Sequence, residues 1–246
     1  MSDRFDAWAW IQRWEAQQER YLPHREERFS LMLDLIGHTL DTPRRVLDLG
    51  CGNGALSRRL LERYPDVSIV AVDMDPVHLE LGRRTLGTRI DWRDGDLRGD
   101  SWDAGLDPGS FDAAVSATAL HWLQSPDLVR LYRRLANLLR ENGLFLNADH
   151  QPVGSPTIAR ESADLLERWQ DVRLEGQEDH AGFHAAAAAD PTLASFAQER
   201  ERRFADKPPG DEPGIAFHHE ALLTAGFSEA GEAWRFLSDT IHVAVR

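Results

Sequence analysis

Val46-Leu47-Asp48-Leu49-Gly50-Cys51-Gly52-Asn53-Gly54 is a short apolar run, broken by one acid, that passes directly into three glycines at alternate positions. Beyond it, Ala55, Leu56, Leu60 and Leu61 recur at helical spacing. The segment therefore reads as a buried strand, a tight glycine turn and a helix. Glycine reaches backbone angles closed to other residues and lets a ligand come close to the chain. The helix adds free N–H groups at its start. Such a turn is suited to holding a small polar ligand against backbone.

Gly50, Gly52 and Ala55 satisfy the dinucleotide pattern G-x-G-x-x-G/A, which is weak evidence by itself. Asp48 discriminates between ligands. A carboxylate beside the loop repels a pyrophosphate but suits a cation. S-adenosylmethionine carries an ammonium and a sulfonium and has no phosphate. The run Asp48-Leu49-Gly50-Cys51-Gly52-Asn53-Gly54 resembles motif I, D-x-G-x-G-x-G, of the class I S-adenosylmethionine-dependent methyltransferases. That resemblance implies a doubly wound, seven-stranded, mostly parallel α/β sheet with an antiparallel C-terminal hairpin. It implies S-adenosylmethionine as cofactor, S-adenosylhomocysteine as product, and contacts from Asp48, Gly50, Cys51, Gly52 and Gly54.

Downstream, Ser68 to Val72 reads as a strand apolar on both faces and ends in Asp73. Asp73 stands about 20 residues beyond the glycines, the offset at which an acid meets ribose hydroxyls in the crevice. Asp75-Pro76 is the better helix cap, which leaves Asp73 for the ligand. Met74 offers an apolar surface for the adenine. A short third strand, Ile90 to Arg93, leads to Asp94-Gly95-Asp96-Leu97. In the family this turn meets the adenine amino group and a ring nitrogen, roles that fall on Asp96 and Leu97, with Asp94 as the rival acid.

Phe111 to Ala117 is the fourth strand, and Thr118-Ala119-Leu120-His121-Trp122-Leu123 follows. The ligand crevice of a doubly wound sheet opens at the carboxyl ends of the strands flanking the switch point. Residues 116–122, with Ser116 and Ala117 foremost, are thus expected to face it. The A-x-x-L-H-W-L form is similar to trans-aconitate methyltransferases and related small-molecule enzymes. His121 could serve as general base, since histidine as a residue type titrates near neutrality, or it could orient an acceptor or pack. A helix from Ser125-Pro126 is expected to stop at Gly143, and Leu144 to Ala148 is strand five.

Residues 1–40 read as an N-terminal helical lid, broken near Pro23, ahead of a methyltransferase domain over 41–246. Arg20, Tyr21, Arg25 and Arg28 are its candidates for the methionine carboxylate. Residues 151–216 read as a helical insertion covering the acceptor pocket, its first helix running to about Glu175. His180 and His184 are four apart, but no third metal ligand is evident, so no metal is expected. The basic and acidic residues of 199–203 read as a solvated helix face, and His218-His219 as a solvent-facing helix start, ending at Gly226. Two strands, 232–237 and 240–245, complete the chain.

The 246 residues carry a formal charge of −13, which disfavours a nucleic-acid partner and prefers a small-molecule acceptor. One cysteine allows no internal disulfide, Met1 to Arg4 lack the apolar core of a signal peptide, and no apolar run reaches a membrane span. These features lead to the expectation of a cytoplasmic protein without a membrane partner; they leave oligomeric state open. Two alternatives stand beside the methyltransferase: an NAD-dependent oxidoreductase on a Rossmann sheet, and a non-catalytic S-adenosylmethionine-binding protein.

Overall fold

The computed structural model describes residues 5–174 and 176–246, so the N-terminal tetrapeptide and the expected helix end at Glu175 lie outside it. In chain order the elements are α1 (Ala7–Tyr21), α2 (Arg25–Leu40), β1 (Arg45–Leu49), α3 (Ala55–Arg63), β2 (Ser68–Asp73) and α4 (Pro76–Leu86). They continue with β3 (Ile90–Asp94), β4 (Phe111–Ala117), α5 (Ser125–Leu138), β5 (Leu139–His150), α6 (Pro156–Leu174), α7 (His180–Ala189) and α8 (Ala194–Phe204). The last three are α9 (Ile215–Ala225), β6 (Glu229–Phe236) and β7 (Asp239–Val245), and 3-10 turns cover Gly87–Arg89 and Leu120–Trp122.

The seven strands form one sheet in the order β3-β2-β1-β4-β5-β7-β6. β1 pairs in parallel with both β2 and β4, while β7 runs antiparallel to β5 and β6. Strand order reverses on either side of β1, so its carboxyl end opens a crevice where the glycine turn begins. The alternation within β1 splits the core. Leu47 and Leu49 join the layer beneath α5 and α9, and Val46 joins the layer beneath α2, α3 and α4. Asp48 shares the Val46 face and points toward α3.

Helix ends follow their local chemistry. Asp75 caps α4 by accepting from the N–H groups of Val77 and His78, with Pro76 in the first turn. Gly226 ends α9 at φ 111°, where its N–H reaches the Leu222 and Leu223 carbonyls. Gly143 does not cap α5, which stops at Leu138, and the left-handed residue is Asn142. A side chain at Gly143 would collide with the Arg140 and Asp112 carbonyls, so glycine is needed there for strand packing. β5 starts earlier than expected because the chain turns directly from helix to strand at Leu139.

α2 lays Phe29, Met32, Leu33 and Ile36 on the sheet, as its apolar spacing requires. α1 packs elsewhere: Ala7, Trp10 and Ile11 meet Val77 and Leu81 of α4 and Phe183, Ala187, Leu193 and Ala197 of α7 and α8. The chain between β5 and α9 thus folds back over the carboxyl ends of β2 and β3. No helix of the described residues is long and apolar enough to cross a membrane.

Candidate cofactor and acceptor site

A cavity of about 430 Å³ lies over the carboxyl ends of β1, β2, β3 and β4. Its floor is the glycine turn. Gly50 sits at φ 64°, and a Cβ there would strike Ala119, so the turn packs tightly on the segment after β4. Gly52 sits at φ 55°, and a Cβ there would meet no protein atom within 4 Å. The first glycine therefore serves packing and the second leaves backbone open to the cavity. Gly54 does not line it; a side chain there would hit Trp92.

Asp48, Cys51, Asp73, Met74, Asp96, Leu97 and Ala117 all line the cavity with Gly50 and Gly52, so these expected contacts converge on one space. Asp48 is 1% exposed and accepts from the Ser57 hydroxyl of α3 at 2.5 Å. Burial, reinforced by the nearby Asp73 charge, raises its carboxyl to about 7 despite that bond. Burial beside Asp75 raises Asp73 to about 6. Asp73 is not idle before a ligand arrives. One oxygen accepts the Gly52 N–H at 2.7 Å and the other the Asp75 N–H at 2.7 Å. Each carboxylate oxygen has a second lone pair, so a ribose diol can still be met. Burial pushes the Cys51 thiol well above its usual value and keeps it inert.

Asp96 faces the cavity and Asp94 does not. Asp94 is taken by Arg203 through two hydrogen bonds. Asp96 receives Lys207 at 2.8 Å and Arg98 at 3.0 Å, which outweigh its partial burial and hold it below the ordinary carboxylate range. Arg200 binds Asp75 at 2.6 Å. The run 199–203 is thus no solvated face: two of its arginines turn inward and fasten α8 onto the acids after β2 and β3. Sequence spacing could not find these pairs, because their partners stand more than 100 residues away.

The segment after β4 divides. Ala117, Thr118, Ala119 and Trp122 line the cavity. Thr118 takes φ 51°, an outlying angle for a β-branched residue, and its N–H is held by the Ala148 carbonyl at 2.8 Å. Ser116 departs from expectation, since it is fully buried and donates to the Leu49 carbonyl at 2.8 Å, tying β4 to β1. His121 also stands off the cavity wall. Its ring Nδ1 meets Asp149 at 2.6 Å, and its backbone N–H meets the other Asp149 oxygen at 3.0 Å. Asp149 is inaccessible, and although burial would raise it, His121 and His150 hold it at about 2. An ionised Asp149 fixes the Nδ1–H tautomer of His121. Asp149 is the residue the sequence reading missed; its signal was an acid at the carboxyl end of an otherwise apolar strand next to the switch point.

Of the four lid candidates for the methionine carboxylate, Arg25 alone lines the cavity among the described residues. Glu15 holds it through two hydrogen bonds at 2.8 and 3.1 Å. Arg28 is buried against Asp239, Arg20 faces a separate surface recess, and Tyr21 is 40% exposed. Trp14, Gln18 and Phe29 complete the wall that α1 and α2 supply. His218 faces inward instead of into solvent, bonded at 2.6 Å to the Tyr132 hydroxyl.

Residues 46–143 match the family model of a methyltransferase domain. A trans-aconitate 2-methyltransferase of Azoarcus sp. (strain BH72) is 33% identical over 191 residues, covering 76% of this chain and 70% of that protein. One of Methylobacterium nodulans is 34% identical over 188 residues, covering 75% of this chain and 65% of that protein. A malonyl-[acyl-carrier protein] O-methyltransferase of Legionella pneumophila is 30% identical over 128 residues, 52% of this chain. The chain spans 44% of that last protein's length. Among solved structures, an S-adenosylmethionine-dependent methyltransferase from Mesorhizobium loti superposes with a TM-score of 0.56 at 18% identity, covering 88% of this chain and 96% of that one. Human N-acetylserotonin methyltransferase in complex with S-adenosylmethionine gives 0.52 at 17%, covering 96% and 66%. The two structures share the fold.

Proposed function

The chain belongs to the class I S-adenosylmethionine-dependent methyltransferases, and on that premise we propose that it methylates a small organic acid on a carboxylate oxygen. The observation that carries the cofactor half is Asp48: a buried acid held under an open glycine turn, with no cation among its hydrogen-bond partners in the described residues. A ligand bearing an ammonium and a sulfonium supplies that missing charge, and a diphosphate does not. This sets the oxidoreductase reading aside. On this reading Asp73 takes the ribose hydroxyls, Asp96 and Leu97 the adenine, Met74 its face, and Arg25 the methionine carboxylate, an assignment supported by their common cavity.

The bound sulfonium supplies an electrophilic methyl group. The protein's part is to hold an acceptor oxygen in line with it and to keep water out. Arg25, Arg200 and Lys207 line the cavity beside Trp14, Trp122 and Phe204, each already paired with a carboxylate of the protein. An acceptor anion would share one of these cations, and the aromatic rings suit an apolar body. A carboxylate is already ionised at neutral pH and needs no base, which agrees with His121 standing behind the wall. The His121–Asp149 pair then acts as a positioning device for the Thr118–Trp122 segment, through the bond from Asp149 to the His121 backbone N–H. A hydroxyl acceptor would require Nε2 of His121 to reach the cavity, and this is the second reading. Relatives named for trans-aconitate and for malonyl-[acyl-carrier protein] favour the carboxylate. The single cysteine and the charge of −13 support a cytoplasmic protein with no nucleic-acid partner.

The test is a panel of carboxylic and hydroxylated acids incubated with methyl-labelled S-adenosylmethionine. A carboxyl methyl ester releases labelled methanol in alkali and a methyl ether does not. We expect alkali-labile label, with S-adenosylhomocysteine formed in step. Alkali-stable label selects the hydroxyl reading, and no S-adenosylhomocysteine with any acceptor would favour a binding protein without turnover. Asp73→Ala should weaken S-adenosylmethionine binding about 10- to 100-fold, the loss of charge-assisted hydrogen bonds of about 1–3 kcal/mol. Unchanged affinity would remove Asp73 from the ribose site.

A further inference from the structure

Beside the cavity, where Asp75 and His78 form part of its wall, α4 and α7 bring together groups that the sequence separates by a hundred residues. Asp75 and His78 stand at the start of α4, and His184 stands on α7. One ligand atom from each lies within 4.8 Å of the other two. His78 is only 5% exposed, yet its Nδ1 has no hydrogen-bond partner among the described residues. Both ring nitrogens of His184 are likewise shut off from solvent with no partner among them. Buried imidazole nitrogens are normally satisfied, and orphaned ones on two rings beside one carboxylate call for an occupant. His180 stands beside them, its ring centroid 4.5 Å from that of His184. Trp14 covers His78 at 4.3 Å, closing the cluster from the α1 side.

We propose that Asp75, His78 and His184 bind one divalent transition-metal ion of the zinc class, which pins α7 to α4. Two imidazoles and one carboxylate are the donor set that such borderline ions take. The missing third ligand, which His180 and His184 lacked in sequence, comes from another element. Arg200, on one Asp75 oxygen at 2.6 Å, becomes the outer hydrogen-bond partner of a ligating carboxylate. Its charge also opposes a second cation, so the site should be weaker than a closed structural zinc site. The apolar packing of Trp14 and Phe183 around the rings keeps bulk water out.

The experiment uses the untagged full chain, stripped with chelator and titrated with Co²⁺, whose visible bands report a low-coordinate nitrogen and oxygen site. The expected result is one equivalent of Co²⁺ giving visible absorption that Zn²⁺ bleaches. The thermal midpoint should rise by about 5–10 °C at a hundredfold excess over Kd. His78→Ala and His184→Ala should each abolish the bands. His184→Ala adds one more alanine to an alanine-rich helix, so it decides the matter if His78→Ala fails to fold. Arg200→Gln should tighten Co²⁺ binding about 5- to 50-fold by removing the adjacent cation. Absence of bands in the wild type overturns the proposal, and so does a band unchanged in His184→Ala. These readouts involve no methyl acceptor, so they stand apart from the fate of the carboxylate reading.

Discussion

Asp48 is a carboxyl group placed where water cannot solvate its charge, one hydrogen bond away from a helix and next to a second acid. In the free protein it titrates near 7, against about 3.8 for the unfolded chain. Between those values the folded state holds a proton that the unfolded state has released. Its stabilising contribution is therefore complete below pH 3.8 and is lost as pH rises through 7. Asp48→Asn should accordingly gain about 2–3 kcal/mol of unfolding free energy at pH 8 relative to pH 5, measured by urea denaturation without cofactor. The same variant should bind S-adenosylmethionine poorly. In the wild type a cationic ligand must expel the Asp48 proton, so affinity should rise as pH increases through 7. Calorimetry near pH 6.5 in two buffers of different ionisation heat should show proton release, absent in Asp48→Asn. A pH-independent wild type would mean that Asp48 is not the cation's partner. This residue was legible from position alone, since the acid and the glycines are adjacent in sequence. Asp149 was not, because its meaning depends on His121 arriving from a different strand end.

Among elements, the strand, turn and helix from Val46 onward were readable because every contact that defines them is local. The insertion between β5 and α9 was not. Its helices were foreseeable from proline, alanine and spacing, but what they touch depends on pairs such as Arg200 with Asp75 and Arg203 with Asp94. Charge runs look alike whether they face water or acids. The loop after α8 shows how narrow the fit is. Lys207, Pro208 and Pro209 line the cavity, and a Cβ on Gly210 would collide with the His121 carbonyl oxygen. Gly210→Ala should therefore lift this loop off the segment after β4. Limited proteolysis is the measurement: cleavage between residues 205 and 214 should speed up about 10-fold or more, with the circular dichroism spectrum preserved. Equal cleavage rates would show that the loop does not rest on His121.

For the molecule as a whole, the buried histidines set the acid limit. His242 is inside the sheet at 1% exposure with both ring nitrogens unpartnered among the described residues, and burial with His218 and His219 nearby takes it to about 3. Burial takes His218 to about 4. For groups lowered in the fold, stability is present above the unfolded value of 6.5 and declines as pH falls toward the folded one. His242→Leu should thus gain about 2 kcal/mol more at pH 5 than at pH 8, again by urea denaturation. An equal gain at both would show that the imidazole is already satisfied. The seven-stranded, doubly wound sheet with its antiparallel end followed from the resemblance carried by one motif, whereas these interior imidazoles are invisible to hydropathy patterning. The clasp of Arg200, Arg203 and Lys207 on Asp75, Asp94 and Asp96 also bears on how such a scaffold can be re-engineered. Acceptor choice invites transplanting the segment between β5 and α9 from one relative to another. A graft without those three cations would leave Asp75 and Asp94 without their arginines and Asp96 with Arg98 alone, and would be pushed away from its host. Donor segments should be chosen by counter-charge register before sequence similarity.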